Sequence, residues 1–427
     1  MKDNNNAYAL SLSGGGARGS YEVGAWKALT ELGIEIVAVT GTSVGSIVGA
    51  FIVQDEFELG LEVIKAMDMD LIFDYEQRGL NRYRETKNLK KMLSTHINEE
   101  KMRSSKVDYG LVTVNITDFK QETLFLNDIS KGLLLDYILA SSNHPLFKRQ
   151  IINDKQYIDG GLYNNMPTKP LADKGYTNII EIDIREKLVM TSVPFDRTKC
   201  NIITIKSRHD LGGVLNFSSG NIQYMLKLGY LDTMLTFGKY ISSFYYVKDT
   251  DTSFDIRFTG DDLKSIYSNS LFSEIESKKM FFSNCLKYIN TFRDKEDTIS
   301  IKSTEFFVNC LEICADTLKI ELLREYSIEE FYEAIREKIE HISKLKDNHK
   351  SKLAKHFSEK ITANKFAIDT EDKLLIIATL LNRLEHSKPF YATILQLSPK
   401  IAIAYFMAEI ITSRQKVNRT EDNENQV

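Results

Sequence analysis

The sequence predicts an α/β protein: a three-layer α/β/α sandwich with a mostly parallel central sheet, followed by an all-helical C-terminal region. Three observations carry this expectation. Apolar strands and helices alternate from Tyr8 into the fifties, and a βαβα series of that kind builds a parallel sheet with helices on both faces. Gly41-Thr42-Ser43-Val44-Gly45 stands between an apolar strand and a helix rich in small residues. Glycine and proline are unevenly spread: all 22 glycines lie at or before Gly260, and no proline occurs between Pro194 and Pro389. The first 260 residues are therefore rich in turns, and the remainder of the chain reads as helix after helix.

Taken in order, Tyr8–Leu12 is a short apolar strand and Gly14 to Gly19 a glycine loop. Ser20–Leu32 has Val23, Trp26, Ala28 and Leu29 largely on one side, as a helix would, and Gly33 ends it. Ile34–Thr40 is the second strand, and Ser46–Val53 the helix after the pentapeptide. Residues 55–105 read as charged helices suited to lie over the sheet end as a cap. Gly110–Ile116 and Glu122–Leu126 are strands, and Gly132–Ala140 is helical. Gln150–Ile152 and Gln156–Ile158 flank a turn at Asn153-Asp154. Thr177–Ile184 and Asn201–Ile205 complete the sheet. Beyond Leu271 apolar residues recur at helical spacing, as in Phe282, Cys285, Leu286, Ile289 and Phe292. Ser327-Ile328-Glu329-Glu330 has the form of a capping box. The domain expectation is 1–260, then helices over 261–413, then a polar, disordered tail over 414–427.

Composition narrows the function. A hydrophobic content of 43% with 27% charged residues belongs to a soluble globular protein, and a net charge of −4 gives no general drive toward nucleic acid. Four irregularly spaced cysteines do not make a disulfide framework, which fits a reducing compartment. Cys310 and Cys314 lack a second Cys/His pair at metal spacing and read as small core residues, so no metal site is expected. The N-terminus lacks a signal-peptide layout, and no run reaches the roughly 18 apolar residues of a membrane span. The expected location is cytoplasmic, peripheral where a membrane is involved. Abundant Lys, Asn and Ile fit an AT-rich bacterial genome.

The chemistry lies in three short segments. A strand, G-x-S-x-G and a helix form a tight turn that holds Ser43 out above the sheet, with Gly41 and Gly45 letting strand and helix pass. Gly14-Gly15-Gly16, again between strand and helix, frees backbone N–H groups to bind an oxyanion, and Arg18 adds a fixed charge that orients the loop or holds an anionic head group. Gly14, Gly16 and Gly19 also match a dinucleotide fingerprint. That reading needs an acidic residue at the end of the second strand, which instead ends in Val39-Thr40-Gly41-Thr42-Ser43, with Glu35 misplaced at its start. A serine nucleophile needs a base. Asp159, in Tyr157-Ile158-Asp159-Gly160-Gly161, sits at a strand end, where burial would raise its proton affinity; alone it is also an ordinary turn aspartate. His144 stays in view as an alternative.

Together GGGARG (Gly14–Gly19), GTSVG (Gly41–Gly45) and DGG (Asp159–Gly161) resemble, in order, spacing and context, the patatin-like phospholipases of bacterial type, over about residues 7–210. Ala140 to Phe147, and Gly229-Tyr230-Leu231-Asp232 after Asp210, are similar to further segments of that family. The resemblance implies a Ser43–Asp159 dyad without histidine, an oxyanion hole from Gly14, Gly15 and Gly16 with Arg18 beside it, and motif glycines at Gly19, Gly41, Gly45, Gly160 and Gly161. It implies hydrolysis of fatty acyl esters through an acyl-enzyme with no metal or organic cofactor. The partner is then a phospholipid or other acyl-ester lipid at a membrane surface. His144 stands where many members carry a small apolar residue. Other readings are an esterase or thioesterase on soluble esters, or an idle domain that binds a partner. The helical C-terminal part, with lysines and histidines between Arg336 and Lys360, is left for a regulator, anionic lipid or self-association, or is a solvated helix face.

Overall fold

The computed structural model describes residues 6–67, 87–144, 147–186, 191–248, 258–275, 277–293, 303–344, 377 and 388–424. The chain divides into two compact units, Met1–Phe237 and Gly238–Val427.

The first unit runs β1 (Ala7–Leu12), α1 (Gly19–Glu31), β2 (Glu35–Thr42), α2 (Val44–Gln54), α3 (Phe57–Ala66), α4 (Lys87–His96), α5 (Glu99–Ser104), β3 (Asp108–Asn115), β4 (Lys120–Phe125), α6 (Leu134–Ser141), β5 (Gln150–Ile152), β6 (Lys155–Asp159), α7 (Thr168–Asp173), β7 (Asn178–Asp183), β8 (Asn201–Lys206) and α8 (Ser219–Thr236). One sheet has the order β5-β6-β3-β2-β1-β7-β8, with β4 also on β3. β3, β2, β1, β7 and β8 are parallel; β4, β6 and β5 run antiparallel to their neighbours. Side chains alternate across a strand, and both faces are covered. Ala9 and Ala38 pack with Leu171 of α7 and Ile179. Leu12 and Val39, of the other parity, meet α2 at Gly49.

α1 and α8 cross closely, because Gly24 faces the Leu226 carbonyl and Gly229 faces the Tyr21 carbonyl with no room for a Cβ. The Tyr21 hydroxyl donates to Asp232 at 2.8 Å across the same crossing. Of the stretch expected to cap the sheet end, α3 packs on α1 and α2. Gly60 of α3 rests against Phe51 and Trp26, and the Trp26 and Phe57 rings meet edge to face at 5.0 Å. Its apolar stripe already finds partners there. Residues 68–86 of that stretch lie outside the described residues.

The second unit holds α9 (Gly260–Ser268), α10 (Ser270–Ser273), α11 (Lys278–Arg293), α12 (Thr304–Leu318), α13 (Ile328–Ser343), α14 (Lys388–Leu397) and α15 (Pro399–Glu424). It departs from all-helical by one short parallel pair, β9 (Tyr246–Lys248) with β10 (Glu325–Ser327). Its own core includes Phe307, Leu311, Phe331 and Ile410, with Cys310 and Cys314 buried as small residues. The capping box at Ser327 and Glu330 forms in both directions. Two boundaries differ from the expected 260 and 414. The second compact unit begins at Gly238, and Gly260, the last glycine, is the first residue of a helix inside it. The segment after Arg414, expected to be disordered, continues α15 to Glu424. Lys346, Lys350, Lys352, Lys355, His349 and His356 of the basic stretch lie outside the described residues. No helix among the described residues is long and apolar enough to cross a membrane.

Candidate active site

Each strand has two edges, and one edge of β3 is taken by β4 from Gly110 to Asn115. The other edge is shared end to end. β2 occupies it from Asp108 to Val112, where Thr42 is its last paired residue. β6 arrives from the opposite direction and occupies Thr113 to Asn115, with Asp159 paired to Thr113. The end of β2 and the end of β6 therefore meet at the junction of Val112 and Thr113. Ser43 is the residue after one end, and Asp159 is the other end.

The turn at Ser43 is strained, with φ 56° and ψ −126°, a conformation costly for any residue with a side chain. Several groups hold it. The Ser43 N–H donates to Ser141 Oγ at 3.1 Å, and Ser141 Oγ donates to the Val112 carbonyl at 2.7 Å. Ser46 Oγ donates to the Ser43 carbonyl at 2.7 Å. Gly41 and Gly45 are required by contact: a Cβ on Gly41 would lie 2.3 Å from the Gly45 carbonyl oxygen, and one on Gly45 2.7 Å from that of Leu12. Ser43 is half-buried at the N-terminus of α2.

Asp159 is 9% exposed. Burial pushes its carboxyl up to about 6, against the opposing pull of hydrogen bonds from the Gly161 N–H, at 2.7 Å, and from the Ser43 side chain. Gly160 and Gly161 form a single 3-10 turn after it, and Gly160 is pressed against the Val112 carbonyl. The Asp159 N–H donates to the Asn143 carbonyl at 2.9 Å. His144, next in the chain, is exposed, with its ring 6.2 Å from that of Phe147. The neighbouring Pro145 and Leu146 lie outside the described residues.

The glycine loop is divided in its roles. Gly14 is in contact range of Ser43, since a Cβ there would sit 3.0 Å from the Ser43 Cβ, yet its N–H is already given to Asn165, at 2.7 Å to Oδ1. Gly15 and Gly16 have no acceptor for their N–H groups among the described residues. Gly16 takes φ 56° at the start of a short 3-10 turn, and Gly19 opens α1. Arg18 is not free to hold a head group. It is 8% exposed, and its guanidinium donates to the Ile184 carbonyl at 3.1 Å, the Gly212 carbonyl at 2.9 Å and Glu186 at 3.3 Å. The residue braces the loop against the ends of β7 and the segment before α8.

Three contributors were not singled out in the sequence: Ser141, Asn165 and Val44. Ser141 and Asn165 act through their backbone partners, which no local pattern signals. Val44, the first residue of α2, has an N–H without an acceptor among the described residues, and its place after the G-x-S-x-G serine was the available clue. No cluster of metal-binding side chains occurs among the described residues.

Residues 10–172, which span all three motifs, match the family model of patatin-like phospholipases. The segment is a patatin-like phospholipase domain. Patatin-like phospholipase domain-containing protein 7 of Mus musculus is 25% identical over 197 residues, 42% of this chain and 14% of that protein. Lysophospholipase NTE1 of Kluyveromyces lactis is 28% identical over 198 residues, again 42% of this chain and 12% of that protein. The chain spans under a fifth of the length of these relatives. The crystal structure of VipD from Legionella pneumophila superposes with a TM-score of 0.41 at 13% identity, covering 95% of this chain and 91% of VipD.

Proposed function

We propose that the chain is a serine lipid acyl hydrolase of the phospholipase A or lysophospholipase type, with Ser43 as nucleophile and Asp159 as its base. The observation that carries this reading is the meeting of the ends of β2 and β6 at Val112 and Thr113, which sets Ser43 beside Asp159, a buried carboxyl whose proton affinity is raised to about 6. An ordinary aspartate is too weak a base to deprotonate a hydroxyl; one near 6 is ionised at neutral pH and better matched to the task.

In the first step the Ser43 Oγ attacks the acyl carbonyl carbon while its proton passes to Asp159. The carbonyl oxygen becomes an oxyanion, held by the N–H groups of Gly15 and Gly16, with that of Val44 at the positive end of α2 as a further donor. The intermediate collapses, the ester C–O bond breaks, and the leaving alkoxide takes the proton from Asp159. Water then attacks the acyl-enzyme, giving its proton to Asp159, and the fatty acid leaves as Ser43 recovers a proton. The names of the relatives, a phospholipase-domain protein and a lysophospholipase, favour a lipid ester. The chemistry fits work at a lipid surface.

Ser43→Ala tests the assignment. Hydrolysis of micellar phospholipid or lysophospholipid, followed by released fatty acid, is expected to fall by 10³-fold or more, on the order seen when a nucleophile is removed, while circular dichroism stays unchanged. Retained hydrolysis in that variant contradicts it.

A further inference from the structure

β3 does not stop where β2 stops. It continues three residues beyond Val112, to Asn115, paired with β4 and β6. At about 3.3 Å per residue this arm stands roughly 10 Å past the level of Ser43. The turn at its end carries Phe119, 92% exposed and at φ 51°. A bulky residue at positive φ is an outlier, and an aromatic ring left almost wholly in water is another. Beside it, Ile151 on β5 is 61% exposed and faces Gln156, whose N–H donates to Thr117 in the same turn. Leu162, three residues past Asp159, is 55% exposed, and Leu215, next to the Val214 carbonyl that accepts the Ala17 N–H of the glycine loop, is 53% exposed.

These four are the exposed large apolar side chains of the described first unit. Phe119 and Ile151 belong to the β3–β4 turn and to β5, Leu162 to the turn after Asp159, and Leu215 to the segment that touches the glycine loop. They stand on four different segments, which suits a fluid apolar phase better than one rigid partner. Charge agrees. Asp118 beside Phe119 is paired with Lys155 at 2.6 Å, and Lys120 makes no ion pair among the described residues. Lys120, next to Phe119, is therefore placed to meet lipid phosphate.

We propose that this arm is a lipid-docking edge: Phe119 and Ile151 enter the hydrocarbon margin of a phospholipid bilayer, Lys120 meets the phosphate layer, and Ser43 is thereby brought to the acyl esters. The purpose of the edge rests on the hydrolase reading; the docking itself does not. Transfer of one large apolar side chain is worth about a tenfold change in partition or more.

The test is flotation of the full chain with phosphatidylcholine vesicles, in a Ser43→Ala background so that the lipid stays intact. Phe119→Ser with Ile151→Ser is expected to weaken vesicle partition by about tenfold or more. The same pair in the active chain should leave hydrolysis of a soluble nitrophenyl ester unchanged and lower hydrolysis of vesicle lipid. Phe119→Trp should bind vesicles like the parent and show a blue-shifted emission component on binding. Unchanged flotation of the double variant, no spectral shift of Trp at 119, or a self-association in lipid-free buffer that the same substitutions abolish would each overturn the docking. A chain that floats but hydrolyses no ester contradicts the hydrolase reading and leaves the docking standing.

Discussion

At the scale of single residues, burial of Asp159 sets a stability cost that depends on pH. Its carboxyl has an ordinary value of 3.8 and is pushed up to about 6 by burial. The native state therefore holds the proton more tightly than the unfolded chain does. That contribution is fully present below about pH 4 and is lost as pH rises through 6, after which the buried charge costs up to roughly 3 kcal/mol. Asp159→Asn keeps the size and the acceptor for the Gly161 N–H but carries no charge. It is expected to be more stable than the parent by about 1–3 kcal/mol at pH 8 and nearly equal to it at pH 4, as read from urea unfolding at the two pH values. Equal stability at both would mean the carboxyl is not buried as described. Glu22 is a second carboxyl that burial drives upward, so a pH limb in activity belongs to Asp159 only if Asp159→Asn removes it. Ser43 and Asp159 were legible in the sequence because each lies inside a short motif with a strand before it. Ser141 and Asn165 were not, since their roles come from chain segments about a hundred residues or more away from the groups they hold.

At the scale of elements, the strand-to-helix turns were readable to within a few residues, because glycine, apolar runs and small residues mark them directly. What sequence alone could not give is the sharing of one β3 edge by β2 and β6. That arrangement depends on a non-local pairing between residues 113–115 and 157–159, and it is what brings Ser43 and Asp159 together. The same limit explains Arg18. A basic residue beside a glycine loop reads as an anion holder, whereas its guanidinium is used up on the Ile184 and Gly212 carbonyls and Glu186. Arg18→Met keeps the stem and removes those bonds. It is expected to destabilise the protein by about 1–3 kcal/mol and to lower kcat by roughly tenfold through a loosened loop, to the same degree on neutral and anionic esters, because losing an aligned oxyanion donor costs rate whatever the head group. A loss confined to anionic lipids would show that Arg18 meets the head group after all.

At the scale of the whole molecule, the chain joins two units with separate cores, and the described chemistry belongs to the first. The glycine and proline distribution suggests a junction near 260, whereas the compact units divide at Gly238 and the last glycine, Gly260, starts a helix. The helical character of the second unit followed from its 3.6-residue periodicity; its small β9–β10 pair, three residues on each side, is too short to leave a pattern. The polar segment after Arg414 read as disordered because it has no apolar stripe, yet it extends a helix already nucleated by the buried residues Ile401 to Ile411. The central claim, that an aspartate and not a histidine activates Ser43, is open to one direct measurement: the rate at which a fluorophosphonate labels the full chain as a function of pH. It should modify Ser43, rise through about pH 6, fall by 10²-fold or more in Asp159→Asn, on the order expected when a general base is lost, and stay within a few-fold in His144→Ala. Rapid labelling of Asp159→Asn together with loss of labelling in His144→Ala would contradict it.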